Sequence, residues 1–315
     1  DAEPGSYSGN IELDLANETV SVPLNVRVWD FALPERTHVD TTGWILSLRG
    51  SVTSHYDVRG EELRDMIEDE IYPIYRKHRI SPAGPWHFHK SALNGSLPAP
   101  LSEEGLAYFK DFMSYWVDEV GVSGILIPST AKRKDLSGEE ARNQYWNTYY
   151  PVLKENGWLD DVYMWMPPLE NLTGSEIMET KRFVENYLDR KAPEVMRIKN
   201  IGGRLWGPWY NRTREETVQY MKETMIPELD KHIGWVDAWQ FGPRMYAEPP
   251  LQEYFKSHVQ SQGKQVGWYI HQQLPVRHSA LTLRTFFWQM AKHDVSIAFN
   301  WQITRWQQSG KKVHR

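Results

Sequence analysis

The chain has 315 residues and a net charge of −5, and 24% of its residues are charged and 40% hydrophobic. These proportions are those of a globular protein, so they exclude a disordered chain, a collagen-like repeat and a coiled coil. No nucleic-acid-binding surface and no membrane span are expected, because the longest basic run is Lys132-Arg133-Lys134 and no apolar run approaches about 18 residues.

Residues 1–35 predict a β-hairpin. Polar and apolar residues alternate over Ile11–Leu15, Asn17 and Glu18 form a turn, and β-type residues continue over Thr19–Trp29. Two or three strands do not form an independent domain. We therefore expect residues 1–35 either to lie against the main body or to be a strand segment and linker from an upstream β-sandwich, assembled with upstream domains or other chains.

From residue 36 to residue 315, short apolar runs alternate with longer amphipathic stretches. Short runs bounded by turn residues are typical of buried strands. The predicted strands are Trp44–Leu48, Pro85–Lys90, Gly124–Pro128, Val162–Met166, Met196–Ile201, Val236–Phe241, Gln265–His271 and Val295–Trp301.

Between these strands, apolar residues spaced by three and four predict amphipathic helices. Ser102 provides an N-cap signal, and Gly121 and Gly157 are placed to end two helices. Pro73 and Pro227 lie inside two helical patterns and are expected to kink or end them. The predicted helices are Glu61–His78, Ser102–Val120, Glu139–Asn156, Ser175–Arg190 and Glu215–Leu229.

Strands that alternate with helices in this way predict a (β/α)8 barrel over residues 36–315. An open doubly wound sheet is the alternative. Such a sheet usually carries a glycine-rich phosphate turn after its first strand, and neither G-x-G-x-x-G nor G-x-x-x-x-G-K-S/T occurs in the sequence. The expected fold class is therefore α/β, a TIM barrel preceded by a short β-hairpin.

In a TIM barrel the active face is formed by the carboxyl ends of the strands. The sequence concentrates aromatic rings and polar side chains at those ends, in a chain with 15 Trp and 16 Tyr. Rings with a polar edge suit sugars, so the expected partner is a glycan or polysaccharide. The candidate substrate-binding residues are His87, His89, Trp165, Trp206, Trp209, Tyr210, Trp239, Arg244, Tyr246, Tyr269, His271, Asn300 and Trp301.

Few catalytic groups accompany these residues. The two histidines of the second strand would point the same way, but later strand ends supply no further metal ligands, so neither a metal nor a cofactor is expected. No G-x-S-x-G elbow indicates a serine hydrolase. Glycoside hydrolysis needs a carboxylic acid, and Glu170 and Glu248 are the candidate catalytic residues. Asp161 and Asp237 lie early in their strands and are interpreted as structural.

Four asparagines begin an N-x-S/T acceptor for N-glycosylation: Asn17, Asn94, Asn171 and Asn211. This number of acceptors favours a secreted, extracellular glycoprotein over a bacterial secreted protein with unused acceptors.

Over nearly the whole chain, six segments follow one another in the order Pro4–Gly9, Val28–Pro34, Tyr75–Ile80, Gly157–Tyr163, Gly263–Tyr269 and Arg284–Trp306. This order resembles the catalytic region of glycoside hydrolase family 123. That resemblance implies an upstream β-sandwich, a (β/α)8 barrel and retaining β-N-acetylgalactosaminidase chemistry assisted by the acetamido group of the substrate. It also implies an adjacent Asp-Glu pair after the fourth strand, in which Asp orients the acetamide and Glu is general acid and then base.

That carboxylate pair is missing, because the sequence after the fourth strand reads Met166-Pro167-Pro168. Loss of the acid alone costs about 10²- to 10⁴-fold in rate. We favour a barrel that recognises N-acetylhexosamine-containing glycans with lost or altered catalysis, a pseudoenzyme. The alternatives are an active retaining β-N-acetylhexosaminidase or β-N-acetylgalactosaminidase in which Glu170 substitutes as the acid, and a different chemistry that uses Glu248, Arg244 and the histidines.

Overall fold

The chain divides into two compact units, Asp1–Arg36 and Thr37–Arg315. The computed structural model describes residues 2–32, 36–43, 52–53, 56–82, 84, 99–128, 138–166, 175–201, 212–270 and 280–300.

The first unit is a two-stranded antiparallel hairpin, as the sequence predicts. Strand β1 (Gly5–Asp14) pairs with strand β2 (Thr19–Val28), and the backbone N–H of Leu15 donates to the carbonyl of Glu18 at 2.8 Å to close the turn. The paired register runs without interruption along both strands, so polar and apolar side chains separate onto opposite faces.

The second unit contains a parallel seven-stranded sheet that curls into a nearly closed barrel. The strand order is β3-β9-β8-β7-β6-β5-β4. Its strands are β3 (Asp40–Gly43), β4 (Ile125–Pro128), β5 (Val162–Trp165), β6 (Met196–Asn200), β7 (Ala238–Phe241), β8 (Gln265–Ile270) and β9 (Ile297–Asn300).

Ser81 and Gly84 lie in the gap between β3 and β4. Ser81 forms a parallel bridge with Thr42, and the N–H of Gly84 donates to the carbonyl of Leu126 at 3.0 Å. A Cβ atom on Gly84 would lie 2.3 Å from that carbonyl oxygen, so this close backbone approach requires glycine. Backbone contacts therefore connect both sides of the gap.

Six of the predicted strands are confirmed to within two residues, from β4 to β9. The first strand is found at Asp40–Gly43, earlier than the predicted Trp44–Leu48. The side chains of Asp40 and Thr41 in this strand form hydrogen bonds, so the strand is polar and does not appear in the sequence as an apolar run. The predicted Trp44–Leu48 and Pro85–Lys90 lie outside the described residues.

Helices follow the strands, and the predicted helical segments are confirmed. Four of the helices contain a π-helical turn, which lies between two α-helical parts or at the carboxyl end of one. The helices are α1 (Gly60–Met66, Ile67–Ile71, Tyr72–Lys77), α2 (Glu103–Met113, Ser114–Glu119), α3 (Gly138–Glu155), α4 (Ser175–Phe183, Val184–Leu188, Asp189–Lys191), α5 (Arg214–Tyr220, Met221–Met225, Ile226–Asp230), α6 (Pro243–Tyr246), α7 (Pro249–His258) and α8 (Ala280–Lys292), with 3₁₀ turns at Leu159–Asp161 and Gln260–Gln262.

The predicted cap residues have the expected geometry. The hydroxyl of Ser102 accepts from the backbone N–H three residues later at 3.0 Å, and Gly121 and Gly157 both have a φ of 74°. The helices do not end at Pro73 and Pro227, because a π-helical turn precedes each proline and the helix then continues for a further turn. A wider turn accommodates a residue that has no N–H to donate.

Apolar side chains form two clusters on the two faces of the barrel sheet. The larger cluster lies between the strands and the surrounding helices. The smaller one fills the inside of the barrel, which we call the lumen. Its buried members are Leu126, Tyr163, Trp165, Ile198, Ala238, Tyr269, Ile297 and Phe299.

Candidate functional site

The amino-end half of the lumen holds a polar network. The hydroxyl of Tyr163 donates to the carboxylate of Asp40 and is hydrogen-bonded to the side chain of Gln265, and the hydroxyl of Ser123 donates to the other carboxylate oxygen of Asp40. Burial, with the nearby charge of Asp40, raises the pKa of Tyr163 well above the usual range of a phenol. The hydroxyl therefore remains a donor, and this end of the barrel is structural.

The carboxyl-end half of the lumen carries a layer of aromatic rings. Trp165 of β5 lies 5.4 Å from Phe299 of β9 between ring centroids, and Phe299 stacks on Tyr269 of β8 at 5.1 Å. Strands β5 and β9 are not neighbours in the sheet, so the rings meet across the lumen. The structure thus brings together two candidate substrate-binding residues, Trp165 and Tyr269, with Phe299, which sequence reasoning missed.

Two buried amides lie in the same half of the lumen. Asn200 ends β6 and is paired in register with Gln240 of β7, and both alternate in phase with the lumen residues Ile198 and Ala238. Asn200 is 2% exposed and Gln240 is 0% exposed. The side-chain oxygen of Asn200, and both the oxygen and the nitrogen of the Gln240 amide, have no hydrogen-bond partner among the described residues.

Such amides are unusual, because the large majority of buried side-chain polar atoms have a partner. Each unpaired buried group costs about 1–3 kcal/mol. A polar ligand that reached the lumen would supply the partners that Asn200 and Gln240 lack. The signal in the sequence was the period of two along β7, which places Gln240 on the same face as Ala238.

A glycine makes room for the Gln240 side chain. A Cβ atom on Gly267 of β8 would lie 2.9 Å from the Cγ atom of Gln240 and 3.0 Å from the Cβ atom of Ile297. The Gln240 side chain therefore passes directly over Gly267, and the absence of a side chain there fixes where the amide lies.

Trp239 and Tyr246, both candidate substrate-binding residues, are not in the lumen. Each is 1% exposed and belongs to the cluster between sheet and helices. Tyr246 packs on Phe241 and Trp268, with ring centroids 5.4 Å and 5.9 Å away. Since neighbouring residues of a strand point to opposite faces, the ring of Trp239 points outward and the amide of Gln240 points inward.

Glu248, a candidate catalytic residue, lies between α6 and α7. Its carboxylate is 3.4 Å from the guanidinium of Arg214, whose side chain is 70% exposed. This is a surface ion pair, which contributes little free energy.

The two aspartates interpreted as structural lie at the amino ends of their strands. Asp237 accepts from the guanidinium of Arg197 at 2.6 Å and from the backbone N–H of Arg197 at 2.9 Å. The backbone carbonyl of Asp161, which is 2% exposed, accepts from the N–H of Gly124 at 3.0 Å. These contacts connect adjacent strands, so they support the structural interpretation.

The remaining predicted site residues are described only in part or lie outside the described part of the chain. Arg244 lies in α6 and Asn300 ends β9, but their side chains are not described. Asn17 is described and is exposed in the turn between β1 and β2. The candidates outside the described residues are Glu170, His87, His89, Trp206, Trp209, Tyr210, His271, Trp301, Asn94, Asn171 and Asn211.

A groove of about 440 Å³ lies between α3 and α4. The guanidinium of Arg142 donates to the carbonyl of Gly138 at 3.1 Å, lies 5.5 Å from the ring of Phe183, and is 4.0 Å from the carboxylate of Glu179. Its charged groups offset one another, so the groove favours no ligand of a particular charge.

The described part of the chain contains no group of three or more His, Cys, Asp or Glu side chains arranged to hold a metal ion. Within the same residues, no helix has the length and apolarity that crossing a membrane requires.

Comparison with known proteins gives no assignment: no protein-family model matches the chain, and no curated protein matches it.

Proposed function

We propose that this chain recognises N-acetylhexosamine-containing glycans at the carboxyl-end face of a (β/α)8 barrel, with lost or altered catalysis. Ser81 and Gly84 support the count of eight strands, because Ser81 forms backbone contacts with β3 and Gly84 with β4. In this proposal they begin the strand that completes the barrel. The proposed activity is binding of a neutral, polar ligand with apolar faces.

One observation carries this proposal: the fully buried Gln240 amide has no partner among the described residues and lies in the lumen half that holds the aromatic layer. A carboxamide offers one acceptor and two donor hydrogens. That set matches an acetamido group or a pair of sugar hydroxyls. The rings of Trp165 and Tyr269 suit the apolar face of a pyranose ring. These rings and amides are uncharged, so they favour a neutral ligand over a charged one.

The distribution of carboxylates supports binding over hydrolysis. Among the described strand residues that face the lumen, Asp40 is the single carboxylate, and it is bound to Tyr163 and Ser123 at the amino ends. Glycoside hydrolysis needs an acid beside the scissile bond. The alternative function, an active retaining β-N-acetylhexosaminidase, therefore depends on Glu170, and the surface ion pair of Glu248 does not support a catalytic role for that residue.

The proposal is tested with aryl β-N-acetylgalactosaminide and aryl β-N-acetylglucosaminide as probes. Calorimetry measures binding and release of the aryl alcohol measures hydrolysis, for wild type, Gln240→Met and the outward-facing control Trp239→Phe. We expect saturable binding without turnover, weakened in Gln240→Met and retained in Trp239→Phe. Turnover that is lost in Glu170→Gln would establish the hydrolase instead. Neither binding nor turnover with either sugar would refute glycan recognition.

We also propose that the protein is a secreted glycoprotein. The exposure of Asn17 in the hairpin turn supports this, because an N-glycan requires an accessible acceptor. Mass spectrometry of protein expressed in eukaryotic secretory cells should find a glycan at Asn17 that is absent from Asn17→Gln. An unmodified Asn17 would remove this support.

A further inference from the structure

The hairpin of residues 5–28 has one face that is apolar along its whole length. In the β1–β2 register, each apolar residue of one strand lies opposite an apolar residue or glycine of the other. We call these side chains the apolar face. Its pairs are Gly5–Val28, Tyr7–Val26, Gly9–Leu24, Ile11–Val22 and Leu13–Val20.

The opposite face is polar and its side chains bond to one another. The hydroxyl of Ser8 donates to Asn25 at 2.8 Å, that of Ser21 donates to Glu12 at 2.6 Å, and that of Thr19 donates to a carboxylate at 2.8 Å. These short cross-strand bonds satisfy the polar groups within the hairpin. The polar face therefore suits solvent, and the apolar face is the one that needs a cover.

The exposed apolar area is large for such a small unit. Seven side chains of the apolar face are 36–47% exposed, from Val20 to Ile11. With ordinary side-chain areas these fractions amount to about 600 Å², a size at which an exposed apolar patch marks an interaction surface. An isolated two-stranded hairpin is also marginally stable in water. Both arguments indicate that another molecule covers this face.

We infer that the apolar face packs on the same face of a second copy of this chain, so that two hairpins form a four-stranded β-sandwich. Two such faces bury about 1,200 Å² together, which reaches the size of a stable specific interface. Leu15, which follows β1 in phase with Leu13 and is 56% exposed, extends this area. Face-to-face packing of sheets at about 10 Å is the ordinary geometry of a sandwich.

Charge and chain geometry favour this arrangement over others. A two-fold contact places each patch against its own copy. The apolar face has no charged side chain to desolvate in such a contact, whereas the polar face carries Glu12, Asp14 and Arg27. Pro23 in β2 has no N–H, and proline in an edge strand disfavours the addition of a strand along that edge. We therefore expect a face-to-face contact. This inference does not depend on the proposed function.

The test measures the mass of the 315-residue chain in solution by light scattering and sedimentation at micromolar concentrations. We expect a dimer for wild type, a monomer for Val22→Lys on the apolar face, and a dimer for the matched control Ser21→Lys on the polar face. A monomeric wild type, or a dimer that survives Val22→Lys, would overturn the inference. A monomer would assign the cover to a sheet of a longer polypeptide instead.

The absence of cysteine provides a second readout that does not require a destabilising charge. With a bis-maleimide that spans the two packed sheets, Leu24→Cys on the apolar face should form a cross-linked dimer, and Asn25→Cys on the polar face should not. Equal cross-linking of both variants would show that the apolar face is not the contact surface. Circular dichroism of each variant establishes that the barrel remains folded.

Discussion

Replacing Gln240 by methionine should make the free protein more stable. The side chain is 0% exposed, and both polar atoms of its amide lack a partner among the described residues. Methionine has a similar length and shape and no polar amide. The substitution removes unpaired buried groups, so we expect the free energy of unfolding to rise by about 1–3 kcal/mol. The melting temperature should then rise by about 2–4 °C for each kcal/mol.

Ligand binding should change in the opposite direction. If the Gln240 amide bonds to the sugar, its loss leaves sugar polar groups without a partner, which costs about 1–3 kcal/mol, or roughly 5- to 150-fold in affinity. Thermal unfolding with and without the aryl N-acetylhexosaminide measures both quantities on one sample. A variant that is more stable alone and less stabilised by ligand is the expected result, as is common for functional sites.

Tyr163→Phe is the matched control, because it also removes a buried polar group from the lumen. Its hydroxyl donates to Asp40, so the substitution leaves a carboxylate without that donor and should lower the free energy of unfolding by about 1–3 kcal/mol. A Gln240→Met variant that is also less stable than wild type, with unchanged sugar binding, would contradict both predictions. It would show that the amide is already satisfied in the free protein.

Two further predictions concern Gly267 and His293. Gly267→Ala places a Cβ atom 2.9 Å from the Cγ atom of Gln240, so it should displace the Gln240 amide. We expect the free energy of unfolding to fall by about 1–3 kcal/mol and sugar binding to weaken in the same assays. Unchanged sugar binding would contradict this prediction. Burial and the charges of Lys256 and Lys292 lower the pKa of His293 in the folded protein. As the pH falls through 6.5, the unfolded chain therefore takes up the His293 proton before the folded chain does, and the free energy of unfolding measured with denaturant should fall. An equal dependence of that free energy on pH in His293→Gln would contradict this.

Periodicity identified the strands that are buried on both faces, because such strands read as apolar runs. It could not find β3, whose lumen-facing Asp40 and Thr42 belong to a polar region of the barrel. Local signals at single residues, such as the cap at Ser102 and the glycine at Gly157, were reliable. They depend on backbone geometry that only a few residue types satisfy.

The site was harder to predict, because a strand buried on both faces does not reveal which alternate residues face the lumen. Residues 236–241 include a tryptophan and a glutamine side by side, and sequence reasoning chose the ring of Trp239 over the amide of Gln240. The structure places the ring among the helices and the amide in the lumen. Phe299 was missed for the same reason, although it lies between Trp165 and Tyr269.

The position of Asp40 limits which mechanism the barrel can support. Tyr163, which bonds to Asp40, precedes Trp165 by two residues on β5, so the carboxylate lies about 7 Å below the aromatic layer along the strand direction. A proton donor must lie within about 3 Å of the leaving oxygen. Asp40 therefore cannot protonate a glycosidic oxygen held at that layer. A catalytic acid would have to come from a segment that follows a strand, and Glu170→Gln is the substitution that separates a hydrolase from a barrel that only binds.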